Sequence, residues 1–319
     1  MDILGIDIGK TRFDVCLLSA DGKHTANFPN TEAGFAQLAA WLAKWRSGPA
    51  AELHACMEAT GNYGLDLAAF LVSDGVTVSI INPRQIKAFG DAELARNKTD
   101  QLDCALIARF CLAQRPPAWQ PPTQHMRYLR EMVRRCAALK ENRTQELNRQ
   151  KAGCASPVVQ ASIARHLGQL TAEIDAMTVE IRALLATEAQ LETDFELLRT
   201  VPSIGDVVAT LILAEIPNIR EFTPKALAAF AGLSPAEHSS GARQKNIGIS
   251  RIGNARLRAG LYMAALSALR HNARLQDFVA RLKEAKKPKK VILVAVARKL
   301  LVMAQAVLKT QTAFNPQLP

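Results

Sequence analysis

Between Arg115 and Pro122 the sequence reads Arg-Pro-Pro-Ala-Trp-Gln-Pro-Pro, and its four prolines divide the chain. Each prolyl ring fixes φ near −65° and removes a backbone donor, so the stretch can form neither a helix interior nor a central strand. It is expected to be a stiff, extended linker and the clearest domain boundary. The residues before it alternate between strand and helix patterns. Ile3 to Ile8 reads as a buried strand carrying Asp7, Arg12 to Ser19 as a second, and Asp21-Gly22 as a hairpin turn into a third at His24 to Phe28. Thr31 is placed to cap a helix with Phe35, Leu38, Trp41 and Leu42 on its apolar face. A fourth strand at Leu53 to Met57, a helix through Leu65 to Leu71 and a fifth strand at Val76 to Ile81 complete an α/β domain with a mixed sheet.

Beyond the prolines the spacing is helical. Tyr128 to Lys151 and Ser162 to Leu198 carry apolar residues at steps of three and four, among them Leu170, Ile174, Ile181 and Leu185. That is the seam of a helical hairpin within one chain or of a coiled coil between chains. Val201-Pro202-Ser203-Ile204-Gly205 is similar to the turn of a helix-hairpin-helix, with Ser203 where glycine is usual. Serine resists positive φ, so a phosphate cradle there is expected to be weakened, and a plain packing turn fits equally well. Phe230 to Gly241, rich in glycine, proline and serine, is expected to be a loop. A basic run, Arg281 to Lys290, reads as a solvated loop around Pro288 that could meet phosphates, and a closing helix spans Val291 to Lys309. The expected parts are residues 1–122, 123–199 and 200–319.

The formal net charge is +11, with a pI near 9.6, which makes nucleic acid the favoured partner. Six cysteines without a C-x-x-C pair argue against a zinc ribbon or a disulfide framework and fit a reducing cytosol. Val291 to Ala297, the most apolar C-terminal run, stops at Arg298-Lys299 and is too short to cross a bilayer. With no signal-like N-terminus, a soluble cytoplasmic, nucleoid-associated protein is expected.

Asp7 stands in the first strand, Glu58 just past the fourth, and Asp100 and Asp103 three apart at the start of the helical run Cys104 to Leu112. A capping box accounts for the last two alone. Strand ends and helix starts gather along one crevice in such sheets, and four carboxylates there would repel without divalent cations. Mg²⁺ takes oxygen ligands of this kind, and two ions clamp a phosphodiester for in-line displacement. Asp14 and Asp66 fit solvent-facing or capping roles better.

Gly5-Ile6-Asp7, Glu58-Ala59-Thr60-Gly61, Ile81-Asn82-Pro83 and Arg96-Asn97-Lys98-Thr99-Asp100-Gln101-Leu102-Asp103 resemble the DEDD transposases of the "insertion sequence one-ten" group, which includes the Piv-type invertases. The resemblance covers nearly the whole chain. It implies an α/β RNase H-like (resolvase-type) catalytic domain with Asp7, Glu58, Asp100 and Asp103 as its metal-binding tetrad, and the use of two Mg²⁺ ions per site. It further implies a helical coiled-coil middle that supports a homo-oligomer, dimer or tetramer, and a mainly α C-terminal transposase domain. Gly-Leu-x-Pro, Ser-Gly and Ile-x-x-Ile-Gly-Asn-x-x-Leu-Arg, at residues 232–258, resemble that domain. Its nucleophilic serine precedes a glycine, which maps to Ser240, with Ser239 as a rival. Strand exchange between donor and target DNA guided by a structured bridge RNA is implied as well. Lys98, Arg243, Lys245, Arg251, Arg256, Lys283, Lys286, Lys287, Lys289 and Lys290 are the candidate phosphate contacts. Three other readings are open: a resolvase-like nuclease that uses water, an actin-like kinase or ATPase from Gly5-Ile6-Asp7-Ile8-Gly9-Lys10, and a non-catalytic nucleic-acid-binding protein.

Overall fold

A computed structural model describes residues 1–59, 61, 63–93, 100–216, 218–240, 243–249 and 252–315, and within these the side chains of all but 51, 100–102, 236–240 and 243–247. The chain forms two compact units, Met1–Pro121 and Pro122–Pro319. In the first, β1 (Asp2–Ile8), β2 (Arg12–Ser19) and β3 (Gly22–Pro29) form an antiparallel meander. After α1 (Glu32–Trp45), β4 (Leu53–Glu58) pairs parallel to β1; after α2 (Leu65–Ser73), β5 (Thr77–Ile81) pairs parallel to β4. The order is β3-β2-β1-β4-β5, a mixed five-stranded sheet. Helices α3 (Pro83–Ala92) and α4 (Asp100–Gln114) follow.

Strand β1 is central and buried on both faces, so its apolar run is nearly unbroken. Leu4, Ile6 and Ile8 join the core that includes Phe35 and Leu38 of α1 and Leu67 and Leu71 of α2. Ile3 lies in the opposite layer, with Cys104, Ile107, Ala108 and Cys111 of α4. The close seating of α4 depends on Gly5. A Cβ there would run into the Cys104 carbonyl oxygen and the Ala108 nitrogen, and would lie 2.8 Å from Ala108 Cβ. Thr31 caps α1 by accepting from Gly34 N–H, and Asn82 caps α3 by accepting from Arg84 N–H.

The proline stretch is not a free linker. Ser79 Oγ donates to the carbonyl oxygens of Pro116 and Pro117, at 3.1 and 2.8 Å, and Trp119 N–H donates to Val78 O at 2.6 Å. Prolines cannot extend the sheet as a ladder strand, so this strap is held by carbonyls and one tryptophan amide.

The second unit begins with a helical hairpin, α5 (Gln124–Ala152) and α6 (Pro157–Ala186), whose buried stripes include Leu129, Cys136 and Leu139 against Leu170, Ile174 and Ile181. Then come α7 (Ala189–Arg199), α8 (Asp206–Glu215) and α9 (Pro224–Phe230). The stretch expected to be a loop is instead a hairpin, β6 (Pro235–Ser240) with β7 (Arg243–Ile249). It is followed by α10 (Ala255–His271), α11 (Gln276–Glu284) and α12 (Lys289–Thr310). The basic run is therefore two helix ends with a short turn, not one loop. The closing helix expected over Val291 to Lys309 is α12, and the run judged too short to cross a bilayer lies in a helix that is long and apolar enough to do so by length and composition. Its Val296, Leu300, Leu301 and Ala304 are fully buried in the unit's core, where a helix of this composition is equally at home. Lys299 runs its stem past Phe278, with Nζ 4.9 Å from the ring centre, which is how a cation sits on a core helix.

Candidate active site and nucleic-acid interface

In the first unit, strand register sorts the acidic residues. Asp7 lies opposite Asp14, and Gly5 opposite Cys16, across the antiparallel β1–β2 pair. Gly5 is also in register with Cys56 and Ile6 with Met57 across the parallel β1–β4 pair. Glu58 therefore follows Cys56 on the face where Asp7 follows Gly5, at the C-terminal ends of neighbouring strands. Helix α4 crosses the same face. Its Cys104 sits over Gly5, while Cys111 Sγ reaches the carbonyl oxygen of His54 near the start of β4, at 3.8 Å. The helix thus begins at the end of the sheet where Asp7 and Glu58 stand. Asp103, in its first turn, is half-buried, as are Asp7 and Glu58.

The electrostatics run the same way. The Cys104 thiol is pushed up by its hydrogen bond with Cys16 and by burial, and further by the negative charges of Asp14 and Asp7. Those carboxylates accordingly lie beside the first turns of α4. Asp14, expected to face solvent, is buried at 8% exposure. Alternation put it on the Cys16 face, but only α4, far along the chain, closes that face off. The Asp100 side chain, and Arg96 to Thr99 with Lys98, lie outside the described residues.

Asn30 is a residue that the sequence reading missed. Its Nδ2 donates to Gly9 O at 3.1 Å and to Tyr63 O at 3.0 Å, tying the loop after Asp7 to the loop after Glu58. A polar residue before a helix-capping threonine carries no signal of that role.

In the second unit, Ser239 pairs with Gln244 and Ser240 with Arg243, so Ser240 ends its strand at the tip of the hairpin. The side chains of Ser239, Ser240, Arg243 and Lys245, and all of Gly241 and Arg251, lie outside the described residues. The base of the hairpin is tightly built. Gly253, at φ +123°, faces Gly232, at φ +67°; a Cβ on Gly253 would lie 2.6 Å from Gly232 N and 2.8 Å from Ala229 O. Asn254 N–H donates to Phe230 O at 2.7 Å, and Asn254 Oδ1 accepts from Leu257 N–H to cap α10. The Asn254 Nδ2 donates to Glu215 Oε2 at 2.6 Å. Glu215, 4% exposed, also takes two hydrogen bonds from Arg134, at 2.9 and 3.0 Å.

Burial pushes the Glu215 carboxyl up, but the Arg134 and Asn254 hydrogen bonds outweigh it and hold the group below its usual range. A carboxylate depressed on folding adds stability above its unfolded pKa and loses it as pH falls through the folded value. Glu215→Ala is expected to cost about 3 kcal/mol at neutral pH, since it strands Arg134 and the cap of α10. The gap between wild type and variant in chemical denaturation should narrow as pH drops below the ordinary carboxylate range. A gap that does not change with pH would mean the carboxylate charge is not what holds the base.

The turn before α8 departs from expectation. Ser203 adopts φ +77° despite being serine, a backbone conformation that usually calls for glycine.

Two family profiles match the chain, one described as Transposase, of the DEDD type, over residues 4–153, and one described as Transposase IS116/IS110/IS902 family over residues 195–280. The pilin gene-inverting proteins of Moraxella bovis and Moraxella lacunata are each 32% identical over 321 residues, covering 99% of this chain and 98% of theirs. The transposase for insertion sequence element IS1111A of Coxiella burnetii is 26% identical over 299 residues, 84% of this chain and 78% of its own. The chain belongs to the IS110 family of transposases.

Members of this family are DNA recombinases, and DEDD-type transposases depend on divalent metal ions. The first profile covers the sheet, its strap and α5; the second runs from α7 into α11 and takes in the serine hairpin. An IS110-family enzyme acts on DNA. Lys283, Lys286, Lys287, Lys289 and Lys290 are all exposed around the turn from α11 to α12, and Arg256 is exposed in the first turn of α10. Lys289 and Lys290 open α12, where the helix dipole already disfavours positive charge.

Proposed function

We propose that this chain moves an insertion sequence by breaking and rejoining DNA, using a carboxylate tetrad of Asp7, Glu58, Asp100 and Asp103 in an RNase H-like domain and Ser240 as nucleophile. One observation carries this reading: Asp7, Glu58 and the first turn of α4 share one end and one face of the sheet. The donor set there is made of hard oxygens, which suits Mg²⁺, two ions per site. When bound, such ions supply charge neutralisation at the scissile phosphate. The residues' own part is to present carboxylates from two strand ends and one helix, with Asn30 keeping the two strand loops in place.

A serine hydroxyl is a weak nucleophile at neutral pH. In the proposed step Ser240 Oγ gives its proton to solvent water as it attacks phosphorus. The phosphorus–deoxyribose oxygen bond breaks, and the displaced oxygen takes up a proton. The energy of the broken ester is kept in the phosphoserine link, ready for rejoining. Inversion, as the Moraxella relatives' names describe, rejoins the DNA that it cuts, and a phosphoserine link would keep a cut end ready for that step.

The three functional parts are residues 1–122, 123–199 and 200–319. Partner nucleic acids are donor and target DNA and, from the family, a structured guide RNA; the lysines at the α11–α12 turn are the phosphate contacts, because a polyanion relieves the charge crowding at the start of α12. The hairpin of α5 and α6 supports assembly of a homo-oligomer, with Val159 46% exposed and Ile163 and Leu167 half-buried toward its tip. The enzyme works in the cytoplasm, on the nucleoid.

With end-labelled DNA and denaturing electrophoresis, wild type and Ser239→Ala should give a protein-linked DNA band, and Ser240→Ala should bind DNA without forming one. An adduct that persists in Ser240→Ala and vanishes in Ser239→Ala would move the nucleophile by one residue. Cleavage without any adduct would favour the second reading, a resolvase-like nuclease in which water attacks.

A further inference from the structure

The same face of the sheet carries a second cluster at the other end of α4. His54 and Cys56, two apart on β4, share a face, and α4 lays Cys111 against them. One donor atom from each lies within 4.8 Å of the other two. All three are buried: His54 at 4% exposure, Cys56 and Cys111 at 0%.

Hydrogen bonding fixes how the imidazole is presented. Ser79 Oγ lies 2.8 Å from His54 Nε2, and 3.1 and 2.8 Å from the carbonyl oxygens of Pro116 and Pro117. Carbonyls only accept, so the single serine hydrogen points at them, and Ser79 Oγ must accept from His54 Nε2–H. That assigns the ring hydrogen to Nε2 and leaves Nδ1 with its lone pair. A ligating histidine is characteristically held this way, its far N–H given to a fixed oxygen. Here the fixed oxygen belongs to the serine that also anchors the proline strap.

We propose that the His54 imidazole, Cys56 Sγ and Cys111 Sγ form a site for a thiophilic divalent ion of the Zn²⁺ class. Two sulfurs and an imidazole are soft donors, unlike the carboxylates at the other end of the helix, so the two clusters select different metals. On binding, both thiols give up their protons to solvent, and Zn²⁺ with two thiolates and a neutral imidazole makes a unit without net charge. Such a unit can stay in a dry core that would not tolerate a lone ion. The bound ion would pin the far end of α4 to β4. It would thereby hold the helix whose first turn bears Asp100 and Asp103.

The test uses the full chain, made without a polyhistidine tag in zinc-supplemented medium and purified without chelators. Elemental analysis should find about one zinc per chain, and Co²⁺ exchanged into the protein should show a sulfur-to-cobalt charge-transfer band, which carboxylates cannot give. Cys56→Ser and Cys111→Ser should lose both signals; Cys154→Ser, at a half-exposed thiol in the other unit, should keep them, as should Asp103→Asn. If the core variants do not fold, wild type alone decides: a strong chelator should lower its melting temperature, and added Co²⁺ should restore it with the thiolate band. Protein that carries no zinc and develops no thiolate band on Co²⁺ titration would overturn the proposal. So would a band that survives in Cys56→Ser and Cys111→Ser, or zinc that leaves with Asp103→Asn.

Discussion

Asp103→Asn is expected to abolish DNA cleavage in Mg²⁺ while leaving the protein folded. The amide keeps the size of the carboxylate and its place in the first turn of α4, but it offers a metal ion no charge. Changing groups one layer out from a metal typically costs about 10–100-fold in affinity or activity, so removing a direct ligand should cost more than about 100-fold. Stability should move little. Asp103 is half-buried, and an acidic side chain near a helix start is worth about 0.3–1 kcal/mol. The comparison to make is single-turnover cleavage beside thermal melting, with Asp7→Asn and Glu58→Gln alongside. Cleavage at the wild-type rate by Asp103→Asn, with Mg²⁺ as the only divalent ion, would remove that residue from the proposed site.

Gly5→Val should have the largest effect on the fold. The atoms a side chain would meet are the Cys104 carbonyl oxygen and the Ala108 nitrogen, which are backbone of α4 and cannot turn aside as a flexible side chain would. Overpacking a core costs about 1–3 kcal/mol when side chains can adjust; here the helix itself must lift, so a loss at or beyond the upper end is expected. Because α4 carries Asp103, cleavage should fall in the same variant even at temperatures where it stays folded. Gly5→Ala should show both effects in weaker form. Gly168 makes the useful contrast: it lies within α6, and a Cβ there meets nothing within 4 Å. Gly168→Ala is expected to be neutral or stabilising by about 0.5–1 kcal/mol. A Gly5→Val protein with unchanged melting temperature and unchanged cleavage would mean that α4 does not rest on β1 in solution.

These results bear on how much of the molecule can be read from its residues. The five strands of the first unit, the Thr31 cap and the helical character of the second half were legible because each follows from a short-range pattern. Alternation needs only neighbours two apart, and a cap only residues three apart. The serine hairpin was not legible. Pro235 to Ser240 holds no run of β-branched residues, and its pairing with Arg243 to Ile249 depends on a base assembled from Gly232, Gly253 and Asn254. The closing helix was legible too, but its apolar run was taken to end at Arg298-Lys299 because charge was weighed without knowing where the side chains would lie. Once the helix packs, long stems can cover apolar surface and leave their charges outside.

The sequence by itself determined the order and chemical type of the acidic residues, the break at the prolines, and the family, since these are properties of the string. Only the tertiary structure decided that Asp14 is buried opposite Asp7, that Glu215 anchors the hairpin base through Arg134 and Asn254, and that His54, Cys56 and Cys111 meet. The physical reason is range. Periodicity and capping act along a few residues of chain, whereas burial and ion pairing are set by groups 39 to 81 positions apart that approach only when whole helices and strands pack.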